Sequence, residues 1–397
     1  MRILHIIQTL NPEAGGPTES VRVLLSYGPI GYTGEVVTLD DPAAPYLANV
    51  GFPVHALGPV RTVYGFNTKL LPWLKANRHR FDGFVVNGLW QYCGLCALLA
   101  LAGKKPYVVF SHGMLDPYFK HAFPLKHLKK WLYWIPVEYW VLRRAFRVLF
   151  TSKAEKRLAE QSFWLHHWNP YVVPYGASGP PPDPESLQRA FFARCPAAVN
   201  RRFLLFLGRI HRKKGCDILI DAFARVAASD PDLHLVMAGP DQQHWRTRLE
   251  TECLRHGISD RVHWPGMLRG EAKWGAFYAA EAFILPSHQE NFGIAVAESL
   301  ACSTPVLLAD KVNIAQDIAE DGAGYVELDT LAGTVALLER WIATSPDERE
   351  AMAARAHTTF VARYDMQENA KAIIRLFESA TGELTTTGSV TSSGEAA

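Results

Sequence analysis

No Gly-x-Gly-x-x-Gly run occurs in the chain, so the glycine fingerprint of a dinucleotide-binding turn is missing and nothing supports a nicotinamide cofactor. Cysteine is scarce, with six residues in 397, and no secretion signal accompanies them, which argues against a disulfide framework. The opening Met-Arg-Ile-Leu-His-Ile-Ile is too short an apolar run for a signal peptide and lacks a cleavage pattern, so a cytoplasmic protein is expected. Long hydrophobic runs are nearly absent as well. The one charge-free window, Gly83 to Gly103, is broken by Asn87-Gly88, Gln91 and Gly94, and it reads as strand, loop and buried helix. Within it, Cys93-x-x-Cys96 lacks a second pair and sits in an apolar helix, which disfavours zinc or redox work.

What is present is ordinary globular composition, 48% hydrophobic and 20% charged, over a length that one core seldom spans. Two domains are therefore expected. The net charge of +2 hides an asymmetry. Residues 1–180 carry 19 basic and 10 acidic side chains, whereas the remainder carries 22 and 29. A basic front half suggests that one face of the first domain meets something anionic, lipid or nucleic acid.

Short β-rich runs alternate with amphipathic stretches along both halves. In the first half, strands are expected at Arg2–Ile7, Glu35–Leu39, Gly83–Asn87, Tyr107–Ser111, Val148–Thr151 and Tyr171–Val173, with helices around Val21–Ser26 and Tyr92–Ala102. In the second, strands are expected at Phe203–Leu207, Leu233–Ala238, Val262–Trp264, Ala282–Leu285, Pro305–Leu308 and Gly324–Glu327, again separated by helices. Apolar strands alternating with helices mean α/β architecture with parallel sheets covered on both faces. The expectation is two doubly wound, Rossmann-like domains facing a central cleft, with ligand held beyond the carboxyl ends of the strands. Their bounds are 1–178 for the first domain, 179–201 for a Pro-rich linker and 202–363 for the second. A C-terminal helix at 364–379 is expected to pack back toward the first domain, and a Gly/Ser/Thr-rich tail at 380–397 to be disordered.

The motifs with chemical content lie at such strand ends. Gly15-Gly16 follows the first strand and precedes a helix, where glycine lets backbone approach an anion and the helix terminus adds positive potential; a plain turn is the alternative. In the second domain, strand Phe203–Leu207 runs into Gly208-Arg209-Ile210-His211-Arg212-Lys213-Lys214-Gly215 and then a helix. Cations there suit a diphosphate, and Arg209 and Lys214 are preferred over Arg212 and Lys213. Further on stand Pro286-Ser287-His288-Gln289-Glu290-Asn291-Phe292-Gly293-Ile294-Ala295-Val296-Ala297-Glu298. Glu290 falls in the loop and Glu298 inside the helix, so they would touch different parts of one extended ligand, each accepting from neighbouring hydroxyls. Backbone N–H groups at Gly293–Ala295 can receive a phosphate. His112 follows an apolar strand at its carboxyl end, with a core histidine as the plainer alternative.

Together, Gly208-Arg209-x4-Lys214-Gly215, Pro286-Ser287-x-x-Glu290-Asn291-Phe292-Gly293 and Glu290-x7-Glu298 resemble the retaining family 4 glycosyltransferases of GT-B fold. The likeness extends to Gly15-Gly16 and Ser111-His112-Gly113. The resemblance implies sugar transfer from a nucleotide-diphosphate donor, UDP- or GDP-linked, with retention at the anomeric carbon. It implies that Arg209 and Lys214 grip the diphosphate and that Glu298 binds the ribose. Glu290 would bind the donor sugar, with the Gly293 and Ile294 backbone nearby. By the same likeness His112 faces the transferred sugar, and Gly15 and Gly16 close on phosphates or acceptor. Two departures stand out: Ala301-Cys302-Ser303-Thr304-Pro305 where the family often has glycine, and Asn291 in place of a frequent glycine.

No carboxylate pair has glycosidase spacing. The resemblance implies a front-face route in which the leaving phosphate itself deprotonates the incoming hydroxyl, its charge neutralised by Arg209 and Lys214. Asp230-Pro231-Asp232 is the only Asp-x-Asp and lies before a strand, at the wrong end for a metal serving the site, so no metal cofactor is expected. The resemblance implies a glycan or polyprenyl-linked acceptor and a place in bacterial cell-surface polysaccharide biosynthesis. The segment 117–150 holds seven basic residues against Glu138 alone, interleaved with Trp131, Tyr133, Trp134, Tyr139 and Trp140. It predicts docking on an anionic membrane surface at the inner face of the cytoplasmic membrane, without crossing it. Other GT-B activities, a phosphorylase or a nucleotide-sugar epimerase, are the alternatives. A nucleic-acid-binding role has no signature to support it, and no nucleic-acid partner is expected.

Overall fold

The computed structural model describes residues 1–26, 31–241 and 244–390. It divides into two units. The first comprises Met1–Tyr175 together with the chain from Met366 onward, and the second comprises Gly176–Asp365.

Seven parallel strands form the sheet of the first unit: β1 (Arg2–Ile6), β2 (Thr33–Thr38), β3 (Val54–Ala56), β4 (Gly83–Asn87), β5 (Tyr107–Phe110), β6 (Arg147–Phe150) and β7 (Pro170–Val172), in the order 3-2-1-4-5-6-7. The order reverses between β1 and β4, which makes the carboxyl ends of these two strands the switch point of the sheet. Every residue of β4 and β5 is buried, as a parallel sheet covered on both faces requires. The covering helices are α1 (Gly16–Ser26), α2 (Leu70–Asn77), α3 (Tyr92–Leu101), α4 (Tyr118–Ala122), α5 (Pro124–Tyr133), α6 (Tyr139–Arg144) and α7 (Lys153–Ala159). Between α5 and α6, Trp134–Glu138 form a π-helical turn around Pro136, which has no N–H to continue the α-helical ladder. Cys93 and Cys96 are buried in α3, where desolvation pushes the Cys96 thiol up to about 11 and Cys93 higher still.

The second unit repeats the plan. Its six parallel strands are β8 (Arg202–Leu207), β9 (Leu233–Ala238), β10 (Val262–Gly266), β11 (Ala282–Leu285), β12 (Val306–Ala309) and β13 (Gly324–Glu327), in the order 10-9-8-11-12-13, with the switch point between β8 and β11. Its helices are α8 (Pro184–Arg194), α9 (Cys216–Val226), α10 (Trp245–His256), α11 (Gly270–Ala279), α12 (Ile294–Ala301), α13 (Ala315–Asp321), α14 (Leu331–Ala343) and α15 (Pro346–Thr359).

Helix α16 (Met366–Val390) belongs to the first unit and packs on α1. A Cβ at Gly83 would overlap the ring of Phe377, so glycine at the start of β4 is what lets α16 lie against the sheet. Two expectations change. The stretch expected as a linker, 179–201, carries α8, capped by the Asp183 carboxylate on the Ser186 N–H at 3.1 Å. Leu187 and Phe191 of α8 are buried, and the helix packs on α11 as an integral part of the second unit. The expected disordered tail from 380 begins within α16, and residues 391–397 lie outside the described residues.

Candidate active site

In the second unit, the loops after β8 and β11 leave the sheet side by side at its switch point, and a short network welds them together. After β8 the chain makes a tight turn, Arg212–Lys214, ending at Gly215 with φ +70°. A Cβ there would stand 1.9 Å from the Pro286 carbonyl oxygen, so only glycine permits this approach. The Lys213 carbonyl accepts the His288 N–H at 2.9 Å and the Ser287 hydroxyl at 3.0 Å. Lys214, reaching across from the same turn, forms an ion pair with Glu290.

Both partners are mostly buried, and two influences act on the lysine. Burial, with the charges of Lys213 and Arg209, pushes its ammonium down to about 7, while the Glu290 carboxylate favours the charged form. Glu290 is held in turn by backbone: its N–H donates to Lys311 and its carbonyl accepts from Asn313, both at 3.1 Å. Gly293 (φ +82°) then opens α12, whose first N–H groups point out of the helix end. Arg209 is exposed at the end of β8.

Glu298 lies one turn into α12 and is only 8% exposed. Its carboxylate is ion-paired with Lys273 of α11 at 2.5 Å, and the lysine stacks over the Trp274 ring. Lys273 is a partner that sequence reading missed: it stands 25 residues from Glu298 in a stretch without a motif. Asp230 pairs with Arg202 at 3.1 Å, where β8 begins, at the opposite end of the sheet from these loops.

The first unit presents a second group of residues. His112 follows β5 in a left-handed conformation (φ +47°), as does Gly113 (φ +73°). Its ring stacks on Phe110 at 4.6 Å, and Nε2–H donates to Asn87 Oδ1 at 3.3 Å, which leaves Nδ1 to accept a hydrogen bond. Burial, and secondarily the neighbouring His5, brings His112 down to about 3, so it is neutral across the physiological range. A small cavity beside it is lined by Ser20, Asn87, His112, Tyr175 and Asn369 among others. The last of these comes from α16. Gly15 (φ +97°) and Gly16, at the start of α1, have open space where a Cβ would stand, and both are exposed.

The strained turn at His112 is fixed by Glu155 of α7, buried and 4% exposed. One carboxylate oxygen accepts the Ser111 hydroxyl at 2.5 Å and the Gly113 N–H at 2.7 Å. The other accepts the N–H and the hydroxyl of Thr151, both at 2.7 Å. Nothing in the spacing of Glu155 singled it out in the sequence.

The expected site residues thus fall into two sets. Lys214, Glu290 and the Gly293 helix end are brought together, with Glu298 on the same helix. His112 stands with Asn87 on the first unit's sheet.

Comparison with known proteins gives these loops a setting. Residues 22–176 match the model of the "glycosyl transferase 4-like domain" and residues 188–359 that of "glycosyl transferases group 1". The chain belongs to the family 4 glycosyltransferases of GT-B fold. It is 32% identical over 165 residues to D-inositol 3-phosphate glycosyltransferase of Xylanimonas cellulosilytica, an alignment covering 39% of this chain and 38% of that one. The chain spans about two-fifths of the length of the curated relatives it matches. Among solved structures, it is similar to sucrose-phosphate synthase from Thermosynechococcus elongatus, at TM-score 0.72 and 18% identity over 96% of this chain and 99% of that one. Anabaena HepE in complex with UDP and glucose matches with TM-score 0.72 and 18% identity, over 97% of this chain and all of that one.

Proposed function

We propose that the chain transfers a hexose from a UDP- or GDP-linked sugar to a glycan or polyprenyl-linked acceptor, with retention and without a metal. The observation that carries this reading is the Lys214–Glu290 pair at the carboxyl ends of β8 and β11, next to the open helix end at Gly293. A diphosphate entering there displaces the internal carboxylate from Lys214 and gains the α12 N–H groups. Glu290 is released to accept hydroxyl hydrogen bonds from the sugar, and Glu298 accepts from the ribose. HepE, solved with UDP and glucose, supports a nucleotide-sugar donor.

In the reaction the anomeric C–O bond to the diphosphate breaks and a bond to the acceptor oxygen forms on the same face. The acceptor proton passes to the departing phosphate oxygen. Arg209 and Lys214 neutralise charge that grows on that phosphate, so their effect falls on turnover. Neutral His112 accepts a hydroxyl of the transferred sugar through Nδ1, and Gly15 and Gly16 admit phosphate or acceptor close to backbone. The protein works in bacterial cell-surface polysaccharide synthesis, peripheral on the inner face of the cytoplasmic membrane through 117–150.

The test is transfer and donor hydrolysis by purified protein across UDP-, GDP- and ADP-sugars, with the anomeric configuration read by NMR. Activity with one UDP- or GDP-hexose, retained configuration and survival of a chelator are expected. Activity that requires free phosphate would replace this reading by a phosphorylase, and loss on chelation restored by Mg²⁺ would end its metal-free form.

A further inference from the structure

Of the aromatic residues named in the basic segment, Trp140 is exposed, whereas Trp131, Tyr133, Trp134 and Tyr139 are turned inward to differing degrees. Trp134 is fully buried, stacked on Phe163 at 4.0 Å, with its indole N–H donating to the Leu165 carbonyl at 2.8 Å. Trp131 packs edge-on against Phe163, and Tyr133 hydrogen-bonds Tyr64 at 3.0 Å. Lys130 belongs to this inner side too, lying over the Trp90 ring at 4.3 Å. Trp131, Tyr133 and Trp134 therefore anchor this segment to its own domain, and the sequence expectation that these rings meet lipid headgroups is corrected.

What α5 turns outward is aliphatic. Leu125, Leu128, Leu132 and Ile135 recur at helical spacing and are 77%, 66%, 80% and 54% exposed. Trp164, 80% exposed, stacks on Trp131 at the side of the same helix. Lys126 and Lys129 are exposed on the same segment, and Arg143 and Arg144 are exposed on α6. The one acidic residue of 117–150, Glu138, is buried and pushed up to about 8 by desolvation. A surface helix that shows solvent four large aliphatic side chains and lysines but no carboxylate lacks a partner in its own domain.

We propose that this face inserts side-on into an anionic bilayer surface, the aliphatic row entering the acyl boundary and the lysines meeting lipid phosphates. The proposal rests on the peripheral placement given above and replaces its aromatic contacts with aliphatic ones. Charge selects the occupant. A second copy of the chain would set lysines against lysines across the row, whereas anionic headgroups supply the missing countercharge. Amphipathic helices with basic flanks and aliphatic faces lie in the interface plane in this way. Among the described residues no helix is long and apolar enough to cross a membrane, and the row is interrupted by lysines, so the contact is shallow.

The test is flotation of the full chain with vesicles of phosphatidylcholine containing 30% phosphatidylglycerol, beside pure phosphatidylcholine. The parent is expected to float with the anionic vesicles at low salt and to stay behind with the neutral ones. Leu128→Glu/Leu132→Glu and Lys126→Glu/Lys129→Glu are each expected to weaken binding at least ~10-fold, and only the lysine pair should lose most of the salt dependence. UDP binding by both variants should match the parent, which shows that they fold and separates this face from the donor site. Failure of the parent to float, or parent-like flotation of both variants, overturns the proposal. So does a parent dimer in sedimentation that Leu128→Glu/Leu132→Glu dissolves, since a second copy then covers the row.

Discussion

Glu155 and Gly113 stand 42 positions apart in sequence, yet the Glu155 carboxylate receives the Gly113 N–H at 2.7 Å and so closes the turn that carries His112. The same oxygen takes the Ser111 hydroxyl, so both neighbours of His112 are tied to one buried charge. A left-handed histidine is strained, and it persists where its surroundings over-determine it. Glutamine at 155 keeps the volume but offers one acceptor oxygen for four donors. Glu155→Gln is expected to lower kcat about 10- to 100-fold through displacement of His112, with UDP affinity unchanged. Kinetics beside UDP titration check it, and an equal loss in both would mean a general structural defect.

In the proposed donor site, Lys214 carries the pH dependence. In the free protein it is brought down to about 7, chiefly by burial. A bound diphosphate favours the charged ammonium, so binding at pH 8 draws in a proton, and affinity falls as pH rises above about 7. Calorimetry of UDP binding in two buffers of different ionisation heat should show that uptake, and Lys214→Arg should abolish it. Arg209→Ala combined with Lys214→Ala should reduce turnover more than either alone. Normal turnover in that double variant, with the fold intact, would remove both residues from the diphosphate site.

In the proposed donor site, the Lys273–Glu298 pair sets the ribose contact. Glu298→Gln removes the charge that strengthens hydroxyl hydrogen bonds and leaves Lys273 facing an amide, at an expected loss of about 1–3 kcal/mol in donor affinity. Lys273→Met should weaken donor binding with little change in kcat. The sharper measurement compares UDP with its 2′,3′-dideoxy analogue: the parent should prefer UDP, and Glu298→Ala should bind the two alike.

Ser303 adopts φ +57° in the turn after α12. The left-handed region costs a side chain about 1–2 kcal/mol, and glycine gives back about 0.5–1 through the unfolded chain. Ser303→Gly is therefore expected to stabilise by about 0.5–1 kcal/mol, read as a rise in Tm with unchanged activity.

The sheets were legible because parallel strands are written as unbroken apolar runs. Gly83–Asn87, Leu233–Ala238, Ala282–Leu285 and Gly324–Glu327 match their expected ranges, and most other strand ends differ by one or two residues. Helix α8 was hidden by the prolines before it, although Asp183-Pro184 is itself a start signal, a capping carboxylate followed by proline at the first helical position. Strand β3, three half-buried residues at the sheet edge, has too little apolar pattern to register. In α5 both faces are apolar, so periodicity alone could not say which one turns inward. Of the site, Arg209, Lys214, Glu290 and Glu298 were visible as motifs. Lys273 and Glu155 act through partners distant in sequence, and only the folded chain joins them.

The interrupted path of the first unit bears on how the protein can be divided. Residues 176–365 form one uninterrupted length, so the second unit can be cut out as a single fragment and tested alone for nucleotide binding. The first unit has no such fragment. A product ending at Tyr175 lacks α16, and the groove between Gly83 and α1 that Phe377 and its neighbours cover becomes wet apolar surface. Such a half-molecule would aggregate, whereas joining Tyr175 to Met366 through a short flexible bridge would restore a sealed layer and a soluble protein.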